Sequence, residues 1–460
     1  MPFGILVDRV LGMASPKDLA WLSTRAPMGF VKKLALMRFR QTVRWAGRKS
    51  SFYRRVFAER GIDPAKVRTP ADLGDFYTMP EDVALHAEDF ICQPPSIVFE
   101  SSGTTGRNKR VYYSRRELED IGIAVAVGMH LGGISAQDRI ANAFDFSIWI
   151  PGMVTHYGLM ERGVFCLAFG KVDPLEVYRR LDQYKFTVVM GEPTWLIRLT
   201  ELAEKHGAYP LKFLVGSAEE MPPSAIPWME NVWRPAKVRM SYGSVEAGGA
   251  LAYQPCDATD GYHVDHMNYL TESLDPDGDG YGEIVFTTVQ RRTMPLIRYR
   301  TRDVARFEKE PCPCGIKLPL MSKLRGRRDE LVVASGGNLY PLMFQRILEA
   351  VPGLTHDWQV VFTLEGVREV MAINVESAGA DLQGLDAQVR RQITVQYPDL
   401  MKNLQLGIFQ MRVVVHRPGT LRVGRKLRRL VDNRYGYALP ELKDGAADPV
   451  ETQAGGSEGH

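Results

Sequence analysis

The chain has 460 residues, long for a single hydrophobic core, so two or three domains are expected. Its 45% apolar and 24% charged content is that of an ordinary soluble globular protein and calls for no fibrous or low-complexity class. A formal charge of +4 is slight at this length; it neither demands nucleic acid nor excludes an anionic ligand.

Met1 to Met13 has its apolar residues broken by Asp8 and Arg9, unlike a secretory signal. No uncharged apolar run reaches the length of a membrane helix, so the expected location is the cytoplasm. Five cysteines, Cys92, Cys166, Cys256, Cys312 and Cys314, are an odd and sparse set that fits a reducing compartment.

In chain order, residues 1 to about 90 show helical periodicity with Arg and Lys on the polar side, as in Phe30 to Trp45. From about residue 96, apolar runs of strand length alternate with helical segments, the pattern of a mostly parallel sheet covered by helices. The stretch Ser96 to Phe99 leads into Ser101-Ser102-Gly103-Thr104-Thr105-Gly106, trailed by Arg107, Asn108, Lys109 and Arg110. Glycines without Cβ clash, interleaved hydroxyls and following cations make a backbone cradle suited to a polyphosphate. It is not a Walker loop, because Asn108 stands where G-x-x-x-x-G-K-[ST] needs glycine. By itself the run reads more readily as a polar surface turn.

Asp173 before Pro174 predicts an N-cap and first helical residue, with Leu175, Val177, Tyr178 and Leu181 inward. A strand Phe186 to Met190, a helix after Pro193 and a strand Leu211 to Val215 follow. Ligand sites in such sheets lie beyond the carboxyl ends of strands. Gly216-Ser217-Ala218-Glu219 is expected there, as is Ser241-Tyr242-Gly243-Ser244-Val245-Glu246 after the run ending at Met240.

Asp275-x-Asp277-x-Asp279-Gly280 imitates a calcium loop, but its twelfth position is Phe286 and a strand pattern, Glu283 to Thr288, follows. It reads as a turn. After about residue 326 come short strands, Trp358 to Phe362 and Glu369 to Val375, around a turn at Glu365-Gly366. A helix near 381–397 and a strand near 408–415 complete a small α+β unit. The expected division is 1–325, 326–440 and a disordered tail over 441–460.

The distinctive segments, in order, are S-S-G-T-T-G (101–106), Y-G-S-V-E (242–246), R-Y-R-T-R-D (298–303), G-R-R-D-E (326–330), S-G-G-N-L-Y-P (335–341) and G-T-L-R-V-G-R-K (419–426). Over about residues 70–435 this resembles the adenylate-forming superfamily of acyl-CoA ligases, and within it the phenylacetate:coenzyme A ligase family. The resemblance implies an α/β fold, with a large N-terminal adenylation domain of helix-covered sheets and a small mobile α+β C-terminal lid. It also implies two steps: a carboxylate attacks ATP to give an acyl-adenylate and pyrophosphate, and coenzyme A captures the acyl group. Two anions must be pressed together, so such a site needs cations, Mg²⁺ and oriented N–H groups.

By this resemblance Ser101, Ser102, Gly103, Thr104, Thr105 and Gly106 grip the β- and γ-phosphates, and Glu246 helps hold Mg²⁺. Ser217, Ala218 and Glu219 lie along adenine, Tyr242 stacks near the base or acyl pocket, Asp303 takes the ribose hydroxyls and Arg327 adds a ribose or phosphate contact. Asp329 is the hinge and Lys426 the catalytic cation of adenylation, replaced near the adenylate by the Ser335–Tyr340 loop in the second step. Two departures stand out: Thr301-Arg302-Asp303 replaces the usual T-G-D, and Leu421 to Lys426 replaces P-R-S-x-G-K.

Asn142 to Gly152 resembles the family's aryl-pocket stretch; with Phe144, Phe146, Ile150, Gly216 and Gly243 it favours a flat aromatic acid of benzoate, aminobenzoate or phenylacetate type. Plain core packing is the other reading of its aromatics. Cys312-x-Cys314-Gly315 with Cys256 and His263 makes an acceptable closed zinc site, His266 competing as ligand. The expected partners are thus a small aromatic acid, ATP and coenzyme A, with no nucleic acid and no membrane, and with a homodimer left open. The alternatives are transfer of the aryl group to a carrier-protein thiol or an amine, and a non-catalytic acyl or nucleotide binder.

Overall fold

The computed structural model describes residues 16–101, 108–218, 221, 225–327, 332–339, 341–377, 384–421 and 429–434. It divides into two compact units. One comprises Met1–Glu192, Tyr209–Ala218 and Trp233–Asp329; the other comprises Pro193–Ala208, Glu219–Val232 and Glu330–His460. Among the described residues no helix is long and apolar enough to cross a membrane.

In the larger unit the expected helical layer is present as Pro16–Arg25, Met28–Lys49 and Ser51–Glu59. The apolar face of Met28–Lys49, Val31, Leu34, Phe39 and Val43, is buried, as its 3.6-residue spacing requires. An eight-stranded sheet follows, in the order Leu320–Met321, Tyr262–Val264, Gly249–Tyr253, Lys237–Ser244, Phe213–Gly216, Val188–Gly191, Arg139–Asn142, Phe165–Ala168. The strands from Phe165–Ala168 to the first half of Lys237–Ser244 run parallel, and the rest are antiparallel. Met129, Ile140, Leu159, Val188, Met190 and Phe213 are buried in one core cluster of this unit.

The predicted cap at Asp173 is present: its side chain accepts the Leu175 N–H at 2.8 Å, with Pro174 opening the helix. That helix ends at Tyr178 and a second short one, Leu181–Tyr184, delivers Leu181 to the interior. An antiparallel sheet of Tyr269–Leu274, Tyr281–Thr288, Tyr299–Arg306 and Gly326–Arg327 completes the unit. The calcium-like run is the turn between its first two strands: Asp277 Oδ1 accepts the Asp279 and Tyr281 N–H groups, each at 3.0 Å.

In the smaller unit the hairpin Leu354–Glu365 and Arg368–Ser377 turns at Gly366. Leu430–Asp432 joins one side and Gln410–His416 the other, both parallel. Helices Pro341–Glu349, Leu385–Gln396 and Pro398–Gln405 bring Phe344, Ile347, Val389, Ile393 and Leu400 to a core with Val360, Phe362 and Ile373. Helix Pro193–His206 groups with this unit although it precedes residue 326: its Glu201 accepts from Arg368 at 2.8 Å.

Candidate functional site

The hairpin Ile97–Ser101 and Lys109–Tyr113 is antiparallel, with Ser101 opposite Lys109, and so brings both ends of the Gly/Ser/Thr run together. Ser101 Oγ and the Tyr299 hydroxyl donate to Glu246 Oε1 at 3.2 and 3.0 Å, and the Lys109 ammonium pairs with the same oxygen. Glu246 is 3% exposed. Burial opposes its charge, but the Lys109 ammonium and the hydrogen bonds outweigh it, and the carboxyl is held down to about 2.

The turn carrying Glu246 is locked from three directions. Tyr113 donates to the Val245 carbonyl, Arg291 to that of Glu246 at 2.6 Å, and Tyr269 to that of Ala247 at 2.9 Å. These donors come from three separate segments, and Arg291 lies over the Tyr113 ring at 4.6 Å. None of them, nor Lys109 as the partner of Glu246, follows from local spacing in the sequence. Position after a phosphate-loop-like run was the one available signal for Lys109.

Strand Lys237–Ser244 contains Tyr242 and Gly243, so these residues lie in a strand rather than in a loop beyond one. The parallel pairing with Phe213–Gly216 ends at Met240, and the remainder turns to pair antiparallel with Gly249–Tyr253. Tyr242 therefore stands just past the carboxyl end of the parallel strand, and its hydroxyl donates to Asp303 Oδ2 at 2.7 Å. A Cβ on Gly243 would sit 1.8 Å from the Gly249 carbonyl oxygen, which explains glycine there. Next to it, Gly216 pairs with Met240 at the end of its strand, Ser217 Oγ donates to the Ser241 carbonyl at 3.3 Å, and Ala218 has φ +75.

Arg302, where the family has glycine, keeps a left-handed φ of +69. Its N–H is accepted by the buried Glu283 at 3.1 Å and its guanidinium meets Glu81 at 3.2 Å. Asp303 is opposite Arg327 in the backbone register.

Along the stretch Asn142 to Gly152, Phe144 is 3% exposed and belongs to the core cluster with Ile140, Leu159 and Met190, the packing role expected of such aromatics. Ile150 is also buried, whereas Phe146 is half-buried, edge-on to His156 at 6.0 Å. A Cβ on Gly152 would be 2.3 Å from the Asp145 carbonyl oxygen, so the chain can fold back there only at glycine. Asp145 Oδ1 accepts the Ser147 N–H at 2.8 Å.

Cys256, His263, Cys312 and Cys314 converge, with their ligand atoms all within 4.8 Å of one another. Cys256 Sγ is 3.7 Å from Cys312 Sγ and 3.8 Å from His263 Nε2, which is 3.6 Å from Cys314 Sγ. A tetrahedral Zn²⁺ with bonds of about 2.3 Å to sulfur and about 2.0 Å to nitrogen has edges of about 3.5–3.8 Å. The donor set and spacing fit zinc. His266 is not in the cluster; its Nε2 meets Thr271 Oγ1 at 2.9 Å.

Ser102, Gly103, Thr104, Thr105, Gly106, Glu219, Asp329, Tyr340, Lys426 and the tail over 441–460 lie outside the described residues, as does the side chain of Arg327.

The model of the AMP-binding enzyme family matches residues 76–280, and that of the AMP-binding enzyme C-terminal domain matches residues 336–434. A phenylacetate-coenzyme A ligase of Thermus thermophilus is 26% identical over 441 residues, covering 89% of this chain and 98% of the relative. That of Aromatoleum evansii is 26% identical over 385 residues, covering 79% and 85%. Among solved structures, a 2-hydroxyisobutyryl-CoA ligase in complex with its acyl-AMP and CoA is similar in fold, with a TM-score of 0.74 and 23% identity over 90% of this chain and 92% of that one.

Proposed function

From the premise that this chain belongs to the AMP-binding enzyme family, we propose that it is an ATP-dependent, AMP-forming aryl acid:coenzyme A ligase. The observation that carries the reading is the meeting of the phosphate-loop hairpin with Glu246, beside the Tyr242–Asp303 pair. A buried carboxylate kept ionised at the mouth of a hydroxyl-rich loop suits a Mg²⁺ bound to phosphates, since Mg²⁺ prefers hard oxygen ligands. Glu246 would help hold that Mg²⁺, which would neutralise phosphate charge, and Lys109, paired with Glu246, would then be free to offer its charge to the phosphates.

Asp303 accepts the ribose hydroxyls, with the Tyr242 hydroxyl orienting the carboxylate and its ring beside the base. Ser217, Ala218 and Glu219 line the adenine, and Phe144, Phe146, Ile150, Gly216 and Gly243 the acid. Lys426 supplies charge in adenylation and the Ser335–Tyr340 loop serves the thioester step, with the chain hinging at Asp329. Cys256, His263, Cys312 and Cys314 hold a structural Zn²⁺ that pins two distant segments together and takes no part in the chemistry.

The test is pyrophosphate release with ATP, Mg²⁺ and a panel of aryl and fatty acids, followed by mass analysis with coenzyme A added. Aryl acids are expected to lead and to end as coenzyme A thioesters. Faster turnover of fatty acids would overturn the acid assignment, and an adenylate that coenzyme A does not consume would overturn the ligase assignment.

A further inference from the structure

We propose that Glu369, Arg434 and Asn403 are positioning residues that set the 335–340 loop for the thioester step and are not needed for adenylation. The inference rests on the reading above that this loop serves the second half-reaction.

Strands Val332–Ala334 and Gly337–Leu339 pair with Ala334 opposite Gly337, so Ser335 and Gly336 alone close the hairpin. Their φ values are +56 and +74. Two-residue turns of this kind favour Asn-Gly or Gly-Gly, because both central residues must be left-handed. Serine is a poor choice for the backbone, and its side chain explains it. Ser335 is fully buried and its hydroxyl donates to Glu369 Oε1 at 2.6 Å.

Glu369 is itself buried on strand Arg368–Ser377, and its other oxygen accepts from Arg434 at 2.6 Å. Arg434 donates further to the Val333 carbonyl at 2.7 Å, on the hairpin's own strand, and to Asp432 at 2.6 Å. From helix Pro398–Gln405, the buried Asn403 amide donates to the carbonyls of Ser335 and Gly336, at 3.1 Å each. A strand, a helix and the segment after Leu430–Asp432 thus converge on one two-residue turn.

A buried ion pair is an inefficient way to stabilise a fold, since desolvation offsets most of its attraction. What it supplies is a single conformation: Ser335 cannot relax from its left-handed state without taking its hydroxyl donor away from the buried Glu369 Oε1, which the Arg434 pair holds in place. Arg434 also follows in sequence the segment that carries Lys426. The same ion pair therefore anchors the strand leading out of the adenylation segment to the loop of the other half-reaction.

The test uses the full chain and follows two rates: ATP–pyrophosphate exchange with acid alone, and thioester formation on addition of coenzyme A to preformed adenylate. Glu369→Gln is expected to leave exchange within about twofold and to slow thioester formation about tenfold or more, as for a misplaced reacting group. Adding Ser335→Gly should recover much of the loss, because glycine holds the turn without the clamp. Equal loss of both rates, or no loss of either, would overturn the proposal. Should Glu369→Gln fail to fold, Asn403→Ala, which leaves the ion pair intact, is read by the same two rates and the same outcomes. An unaltered enzyme that makes adenylate but no thioester would instead overturn the ligase reading, and this inference with it.

Discussion

Lys109, half-buried at the end of the Ile97–Ser101/Lys109–Tyr113 hairpin, and the buried Glu246, far apart in the chain, form an ion pair in which each is the other's neutralising charge. The pair accounts for how a carboxylate 3% exposed stays ionised; in the proposed reaction it would set a cation beside the polyphosphate.

Its titration gives a signed expectation. The Glu246 carboxyl is lowered from 4.5 to about 2, so its contribution to stability is fully present above about pH 4.5 and is lost as pH falls towards 2. Between these limits the wild type should lose up to about 3 kcal/mol more stability than Glu246→Gln. Urea denaturation at a series of pH values checks this; parallel curves for the two proteins would disprove it. In the proposed reaction the same substitution should slow pyrophosphate release about 10²-fold, with a raised Mg²⁺ requirement.

Tyr242→Phe removes the hydroxyl that orients Asp303 without emptying the site. A lost hydrogen bond to a charged group is worth about 1.5–3 kcal/mol, so KM for ATP should rise about tenfold or more while the acid's KM changes little. Asp303→Asn should do at least as much. A selective effect on the acid's KM would place Tyr242 in the acyl pocket instead.

Protein purified without chelator should carry about one zinc per chain, and Cys312→Ser should lose it. Metal analysis with a thermal melt reads both the loss and a fall in Tm. His266→Ala should retain the metal, because that imidazole bonds Thr271.

Gly243→Ala drives a methyl into the Gly249 carbonyl, which is backbone and cannot step aside; a loss of about 3 kcal/mol is expected. Gly278→Ala, with open space around its Cβ, should stay within about 0.5 kcal/mol. Denaturant midpoints compare the two.

Arg302→Gly tests the departure from T-G-D. Glycine relieves a left-handed arginine, worth about 1 kcal/mol, and forfeits a partly exposed pair with Glu81, worth about 0.5 kcal/mol. With the added freedom of the unfolded chain, the net change should fall below about 1 kcal/mol. A loss of more than about 2 kcal/mol would mean that arginine has become integral to the strand.

Much of this architecture is legible in the sequence because it is written locally. The Asp173-Pro174 cap, the turn at Gly366 and the buried stripe of Met28–Lys49 each follow from a few adjacent residues or one period. The motif order likewise points to Glu246 and Asp303, and the Cys312-x-Cys314-Gly315 run with Cys256 and His263 points to a metal set, all from residue types and spacing. Strand limits were less legible: Tyr242 and Gly243 belong to a strand because Gly249–Tyr253 returns to pair with them, a partner that nothing at 242–243 announces.

The sequence by itself determined the elements, their order and the chemical kinds of residue at the site, since backbone preference and apolar period act over a turn or a strand. Tertiary structure alone decided that Lys109 answers Glu246, that His263 joins the cysteines while His266 does not, and that Phe144 packs into the core. It alone also decided that Ser335 is held by Glu369. Those outcomes depend on which distant segments the packing sets within a few ångströms, and hydrogen bonds and ion pairs act only over that distance.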